Sequence, residues 1–121
     1  MPWEYGQSSG RLTYNGRVIA TGYSGTGAGR NNPDRENERN VGPITRGRYR
    51  IERAQRERGM PYVMNLTPSG HNAHGRTGFE IHGDNNRGDA SGGCIILRRN
   101  IRQSVSELIS TSRDDTLNVV R

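Results

Sequence analysis

Apolar residues in this chain fall in short alternating runs divided by glycine-rich turns, and only one stretch carries helical spacing. Arg11-Leu-Thr-Tyr-Asn-Gly-Arg-Val-Ile-Ala20 reads as a β-hairpin, with Asn15-Gly16 as the favoured two-residue turn between β-prone segments. Arg48 to Glu52, where Tyr49 and Ile51 alternate with charges, has the pattern of a half-buried strand. Tyr62 to Leu66 predicts another, ended by Pro68, and Phe79 to His82 alternates again. Cys94-Ile-Ile-Leu97 is a short apolar run fit for a buried strand, and Thr116 to Val120 predicts a last one. Ile101, Val105, Leu108 and Ile109 fall at i, i+4, i+7 and i+8, which predicts a helix capped by Asn100 with Gln103 three residues on. Between these elements, Gly22 to Asn40 is polar and rich in glycine and reads as a long loop, of the kind often placed at a binding cleft. The expected fold is therefore mainly β, mostly antiparallel, with one C-terminal helix.

Composition narrows this further. At 121 residues the chain is long enough for one domain, residues 1–121, with no room for a second. Apolar residues make up 29%, aromatics 6%, and mean hydropathy is −0.96, so the core is small. Seventeen glycines argue for tight turns and against a helical bundle. No run approaches the roughly 20 apolar residues that cross a bilayer, and Met1 to Gly10 lacks the features of a secretory signal. The expectation is a soluble chain made in the cytoplasm without a signal peptide and without membrane insertion. All 18 basic residues are arginine, against 12 acids, giving +6. Such a balance favours anionic partners, but the arginines are scattered from Arg11 to Arg121, which fits a solvated basic surface.

The chemistry concentrates between Ile81 and Ile95. His82 closes one strand, and Cys94, the single cysteine, opens the next 12 residues later. A catalytic cysteine attacks as thiolate, so it needs a neighbouring base and an electropositive, partly open setting that depresses its pKa. His82 can be that base. The pair Gly92-Gly93 leaves backbone N–H groups before and at Cys94 open to a developing oxyanion. Three other readings stand beside this one. Cys94 can be a small buried hydrophobe at the head of a core strand. His71, His74, His82 and Cys94 can be arranged as a zinc set, although His71 and His74 sit in a loop and no second cysteine is present; the expectation is no metal. Asp84 to Asp89 has a passing likeness to a calcium loop but lacks the glycine and the closing acid, and Arg87-Gly88-Asp89 matches an adhesion pattern that arises by chance.

Three ordered motifs carry a resemblance. Gly42-Pro-Ile-Thr-Arg-Gly-Arg-Tyr-Arg-Ile51, Phe79-Glu-Ile-His-Gly83 and Ser91-Gly-Gly-Cys94 together resemble the L,D-transpeptidase catalytic domain. Met1-Pro-Trp3, Gly22-Tyr-Ser-Gly25, Asn31-Asn-Pro33, Gly75-Arg76, Ile81-His-Gly-Asp84 and Cys94-Ile-Ile-Leu97 extend the similarity over the whole chain, toward the L,D-transpeptidase effectors of the type VI secretion system. The resemblance implies an L,D-transpeptidase-like β-sandwich or mixed-sheet domain acting on peptidoglycan stem peptides, with no cofactor. Carried over by position, Cys94 matches the nucleophile, His82 the general base, Gly93 a backbone oxyanion donor and Ser91 a residue that orients the loop. Asp84 matches an acid of the effector subgroup and is expected to orient His82. Position 92 is Gly where the family typically has His, and Ile96 replaces an arginine two residues after the cysteine. Gripping of substrate then passes to Arg76, Arg98 or Arg99.

By the same resemblance the activity is that of an L,D-carboxypeptidase that removes D-alanine from tetrapeptide stems, or of an exchange enzyme that replaces it. The expected setting is the periplasm of a target bacterium, reached by a secretion machine, with a cognate immunity protein and secretion components as partners. A basic module that binds nucleic acid, or a noncatalytic one that binds cell-wall polymer, is the competing reading. Neither needs the His82 and Cys94 pairing, and nucleic acid is not expected as a partner.

Overall fold

The computed structural model describes residues 2–85 and 90–121. Ten strands and one helix follow one another: β1 (Trp3–Gly6), β2 (Arg11–Tyr14), β3 (Arg17–Thr21), β4 (Tyr23–Ser24), β5 (Gly47–Ile51), β6 (Gln55–Glu57), β7 (Met60–Ser69), β8 (Glu80–His82), β9 (Ile95–Ile96), α1 (Arg99–Ser112) and β10 (Thr116–Val120). The ten strands form one mixed sheet, nine of them in the order β3-β2-β1-β10-β5-β7-β8-β9-β4, with β6 branching off by pairing with β7. Only β1 with β10 and β8 with β9 run parallel. The expectation of a mainly β mixed sheet with a single C-terminal helix holds.

Alternation explains which side chains make the core. Trp3 and Tyr5, Tyr49 and Ile51, Leu117 and Val119 lie two apart on their strands, Phe79 lies two before Ile81 at the entry to β8, and all are buried. Val105 and the partly buried Ile101, Leu108 and Ile109 turn the predicted face of α1 toward the same core. Asn15 and Gly16 both take positive φ, 50° and 84°, as the tight turn between β2 and β3 requires. β7 connects the halves of the sheet: its C-terminal residues pair with β5, Met64 and Asn65 with β8, and its N-terminal residues with β6.

Several boundaries differ from the pattern-based expectation. β1 was not expected; it forms because Trp3 to Gly6 pair with Leu117 to Val120 at the far end of the chain. β7 does not stop before Pro68 but continues to Ser69, with Pro68 opposite Tyr49. Beyond Leu66 the other edge of β7 has no partner strand, so the missing proline N–H costs nothing there. Asn100 is not the helix cap: α1 begins at Arg99 after Arg98, and no side chain caps it. Arg102 fixes that start instead. Its buried guanidinium donates to the carbonyls of Leu97, Pro61 and Tyr62 at 2.7, 2.9 and 3.2 Å. Nor is Gly22 to Asn40 wholly loop, since it contains β4 and two short 3-10 turns, Gly27–Gly29 and Pro33–Arg35. Among the described residues no helix is long and apolar enough to cross a membrane.

One ion pair ties this segment to the sheet. Glu36 accepts from Gln7 Nε2 at 3.0 Å, from the Arg46 amide at 2.8 Å and from Arg46 Nη2 at 2.6 Å. Burial pushes its carboxyl up, but the Arg46 bonds and charge, with Gln7, outweigh it and hold the pKa down at about 2. A lowered folded-state pKa contributes stability that is complete above the ordinary carboxylate range and is lost as pH falls through about 2. Glu36→Gln should therefore lower unfolding free energy by about 1–3 kcal/mol at pH 7 and by much less at pH 2. Urea unfolding at both pH values reads this difference.

Candidate active site

Strand β8 presents Glu80 and His82 on one face and buries Ile81 on the other. β9 runs parallel beside it, with Ile81 opposite Ile95 and His82 opposite Ile96. Cys94 immediately precedes β9, half-buried, while Ile95 points into the core. A carboxylate oxygen of Glu80, a ring nitrogen of His82 and Cys94 Sγ consequently lie within 4.8 Å of one another.

The imidazole is oriented by backbone. His82 Nδ1 lies 2.8 Å from the carbonyl oxygen of Gly83. A carbonyl only accepts, so Nδ1 carries a proton, and in the neutral ring Nε2 then holds the lone pair. The Cys94 thiol donates to Gly78 O at 3.6 Å. Contrary to the expected depression, burial pushes this thiol up to about 11. The Glu80 N–H and the charges of Arg58 and Arg76 lower it, while the Glu80 carboxylate adds to the rise. The thiol therefore rests protonated beside the His82 ring.

Ser91 holds the turn before Cys94 in shape. Its hydroxyl donates to Cys94 O at 2.6 Å and accepts from the amides of Gly93 and Gly25 at 3.1 and 2.9 Å. Ser24 Oγ donates to Gly93 O at 3.1 Å and accepts from the Ile44 amide at 2.8 Å. The Gly22 to Asn40 segment is thus a buttress for the cysteine turn. Ser91 thereby ties Cys94 and Gly93 to Gly25. Gly93 differs from expectation, because its N–H is already bonded to Ser91 and is not open to an oxyanion. Its requirement is steric: at φ +136° a Cβ would meet Arg76 Nη2 at 2.5 Å and the Phe79 ring at 2.9 Å.

Arg76 is also placed differently. It is 4% exposed and donates to the carbonyls of Glu36, Pro43, Gly42 and Gly92, so it is a strut under the cysteine turn and not an open grip for substrate. Asp84 does not orient His82. It accepts from Tyr23 OH at 2.6 Å and from the Asn85 amide at 2.8 Å, and Gly83 O does the orienting. Arg98 and Arg99 are exposed and line a hollow of about 360 Å³ with Tyr23, Met60, Gly83 and Asp84, adjoining His82 on its Gly83 side. A larger hollow of about 750 Å³ lies between α1 and the β5–β7 region and includes neither Cys94 nor His82 among its lining residues. Among the described residues, His71 and His74 do not join His82 and Cys94 in a cluster of metal-ligating atoms. His71 Nε2–H donates to Arg48 O while Nδ1 accepts from the Ala73 amide, and His74 faces Glu36 at 3.7 Å. Arg87-Gly88-Asp89, and with it most of the calcium-like segment, lies outside the described residues.

Two neighbours of the cysteine were missed in the sequence. Glu80 shares the His82 face, as the alternation of Phe79 to His82 already implied. Arg58, at the β6–β7 turn with φ 51°, reaches Glu80 at 3.2 Å from a position that no local pattern connects to β8.

Fold and site together define a mainly β domain with a thiol and an oriented imidazole on adjacent parallel strands. The profile of the Tlde1 domain matches residues 19–119, and the chain belongs to that family. The family is one of type VI secretion effectors, a membership consistent with antibacterial action and with an enzyme. No curated protein matches the chain.

The two glycines before Cys94 should behave differently. Gly93→Ala is expected to cost about 1–3 kcal/mol. Gly92→Ala, whose Cβ would lie 3.3 Å from Asn40 Cα at an ordinary φ, should cost less than about 1 kcal/mol. Parallel urea titrations of the two variants check the ordering.

Proposed function

We propose that this chain is a cysteine acyl-transfer enzyme that cleaves the L,D bond of peptidoglycan stem peptides, between a diamino acid at position three and D-alanine at position four. The observation that carries the reading is the proximity of Cys94 Sγ to a His82 ring whose Nδ1–H is committed to Gly83 O. Family membership supports it.

In this mechanism the thiol stays protonated until substrate arrives, because burial disfavours the free thiolate. As Cys94 Sγ bonds to the stem carbonyl, its proton passes to His82 Nε2. The Cys94 amide stabilises the oxyanion, Gly93 being engaged elsewhere. His82 returns the proton to the amine of D-alanine, the C–N bond breaks, and the stem is held as a thioester. Water releases a tripeptide, which is carboxypeptidase action; a D-amino acid or a second stem releases an exchanged or cross-linked product. In this reading Arg98 and Arg99, which line the adjoining hollow, bind substrate, and Ser91 keeps the turn in register. The enzyme would act in the periplasm of a competing bacterium after delivery from the cytoplasm of its producer by a type VI machine. A cognate immunity protein would block the site.

Incubation with purified muropeptides tests this directly, with products read by mass spectrometry. Wild type should convert tetrapeptide to tripeptide or exchange its terminal D-alanine. Cys94→Ala should show no conversion, and His82→Ala a loss of at least about a hundredfold. Conversion by Cys94→Ala at the wild-type rate would overturn the mechanism. Alkylation of Cys94 by iodoacetamide supplies an independent check of the site: its rate should keep climbing beyond pH 9, with a midpoint near 11, where an unburied thiol would already have reached its plateau.

A further inference from the structure

Acyl transfer by Cys94 and His82 gives Glu80 no task, and its position is awkward for one. A carboxylate beside a sulfur that must become anionic works against the thiolate. Glu80 is nevertheless held there, its side chain 14% exposed, with the exposed Arg58 as its ion-pair partner among the described residues. Arg58 also pairs with Glu57 at 3.1 Å, so one exposed guanidinium is shared between two carboxylates. A carboxylate beside a thiol and an imidazole suits a cation.

We propose that Glu80, His82 and Cys94 form a binding site for a borderline-soft divalent cation, Zn2+ in particular. One sulfur, one imidazole nitrogen and one carboxylate oxygen are the donor types that zinc takes, and three protein ligands leave a fourth position for water. Zinc bonds of roughly 2.0–2.3 Å place neighbouring donors about 3.3–3.8 Å apart. The present separations, none above 4.8 Å, close to that by rotamer adjustment of a half-buried Glu80 and Cys94. Among the described residues Glu80 gives up an exposed Arg58, which keeps Glu57. The imidazole is already arranged as a ligand, since a ring nitrogen bonded to a backbone carbonyl leaves the other as the metal donor. On binding, the thiol proton is released to solvent and sulfur coordinates as thiolate.

Metal here is an inhibitor and not a cofactor. It takes the sulfur lone pair and the Nε2 lone pair, the two atoms the proposed acyl transfer uses, so the loaded form is inactive and the free form active. That consequence rests on the proposed function, whereas the binding site itself does not.

Titration of the purified protein with Co2+ tests the site without substrate. A thiolate-to-cobalt charge-transfer band should saturate at one equivalent and be displaced by Zn2+. It should vanish in Cys94→Ala, and affinity should fall at least tenfold in Glu80→Gln and in His82→Ala, with circular dichroism unchanged. Absence of the band in the folded wild type would overturn the proposal, as would an affinity unmoved by Glu80→Gln. If muropeptide conversion is also observed, Zn2+ should abolish it and a chelator restore it. Cobalt binding as described in a protein that converts no muropeptide would sustain the metal site and remove the catalytic reading.

Discussion

The parallel pairing of β8 with β9 is the constraint on which the site depends. Parallel strands need a long crossover, and here the connection from His82 to Ile95 carries the cysteine turn itself. Ile81 and Ile95 face each other and are fully buried, which fixes the register by hydrophobic packing. A one-residue slip would turn His82 into the core and bury its polar ring. The same core contact therefore sets both stability and the distance between imidazole and thiol. Around it, Ser24, Ser91 and Arg76 convert the 22–45 segment and the cysteine turn into one hydrogen-bonded block.

Arginine usage follows the same logic. Arg76 and Arg102 are buried and donate to seven backbone carbonyls between them, each closing a place where irregular backbone meets the sheet. A guanidinium suits this because its five donors fan out in a plane, and no lysine would reach as many acceptors. Arg46 pairs with Glu36 on the buttressing segment, and Arg58 pairs with Glu80 beside the cysteine. The excess of basic residues is in part a framework of backbone clamps.

Much of this architecture was legible from residue order. The alternation in Arg48 to Glu52, Phe79 to His82 and Thr116 to Val120, the Asn15-Gly16 turn and the helical face of Ile101 to Ile109 are local signals, and they led to the observed elements. Elements defined by distant partners were not: β1 exists through β10, and β4 through two residues of β9. The approach of Cys94 to His82 followed from two strand ends joined by a short loop. The true partners of Arg76 and Asp84 did not, because carbonyls from separate segments and the Tyr23 hydroxyl have no signature in sequence. Glu80 was legible, being two residues from His82 on an alternating strand, yet nothing in the strand alone said that a cysteine would face it.

The proposed chemistry depends on Cys94 Sγ as the atom that takes the acyl group. Mixing the protein with a stem tetrapeptide, quenching in acid and measuring intact mass followed by peptide mapping would read this most directly. The expected result is a tripeptidyl thioester on Cys94, short of the D-alanine mass, that forms in wild type and is absent in Cys94→Ala. An acyl adduct on another residue, or turnover with no adduct in the wild type and none in Cys94→Ala, would contradict it.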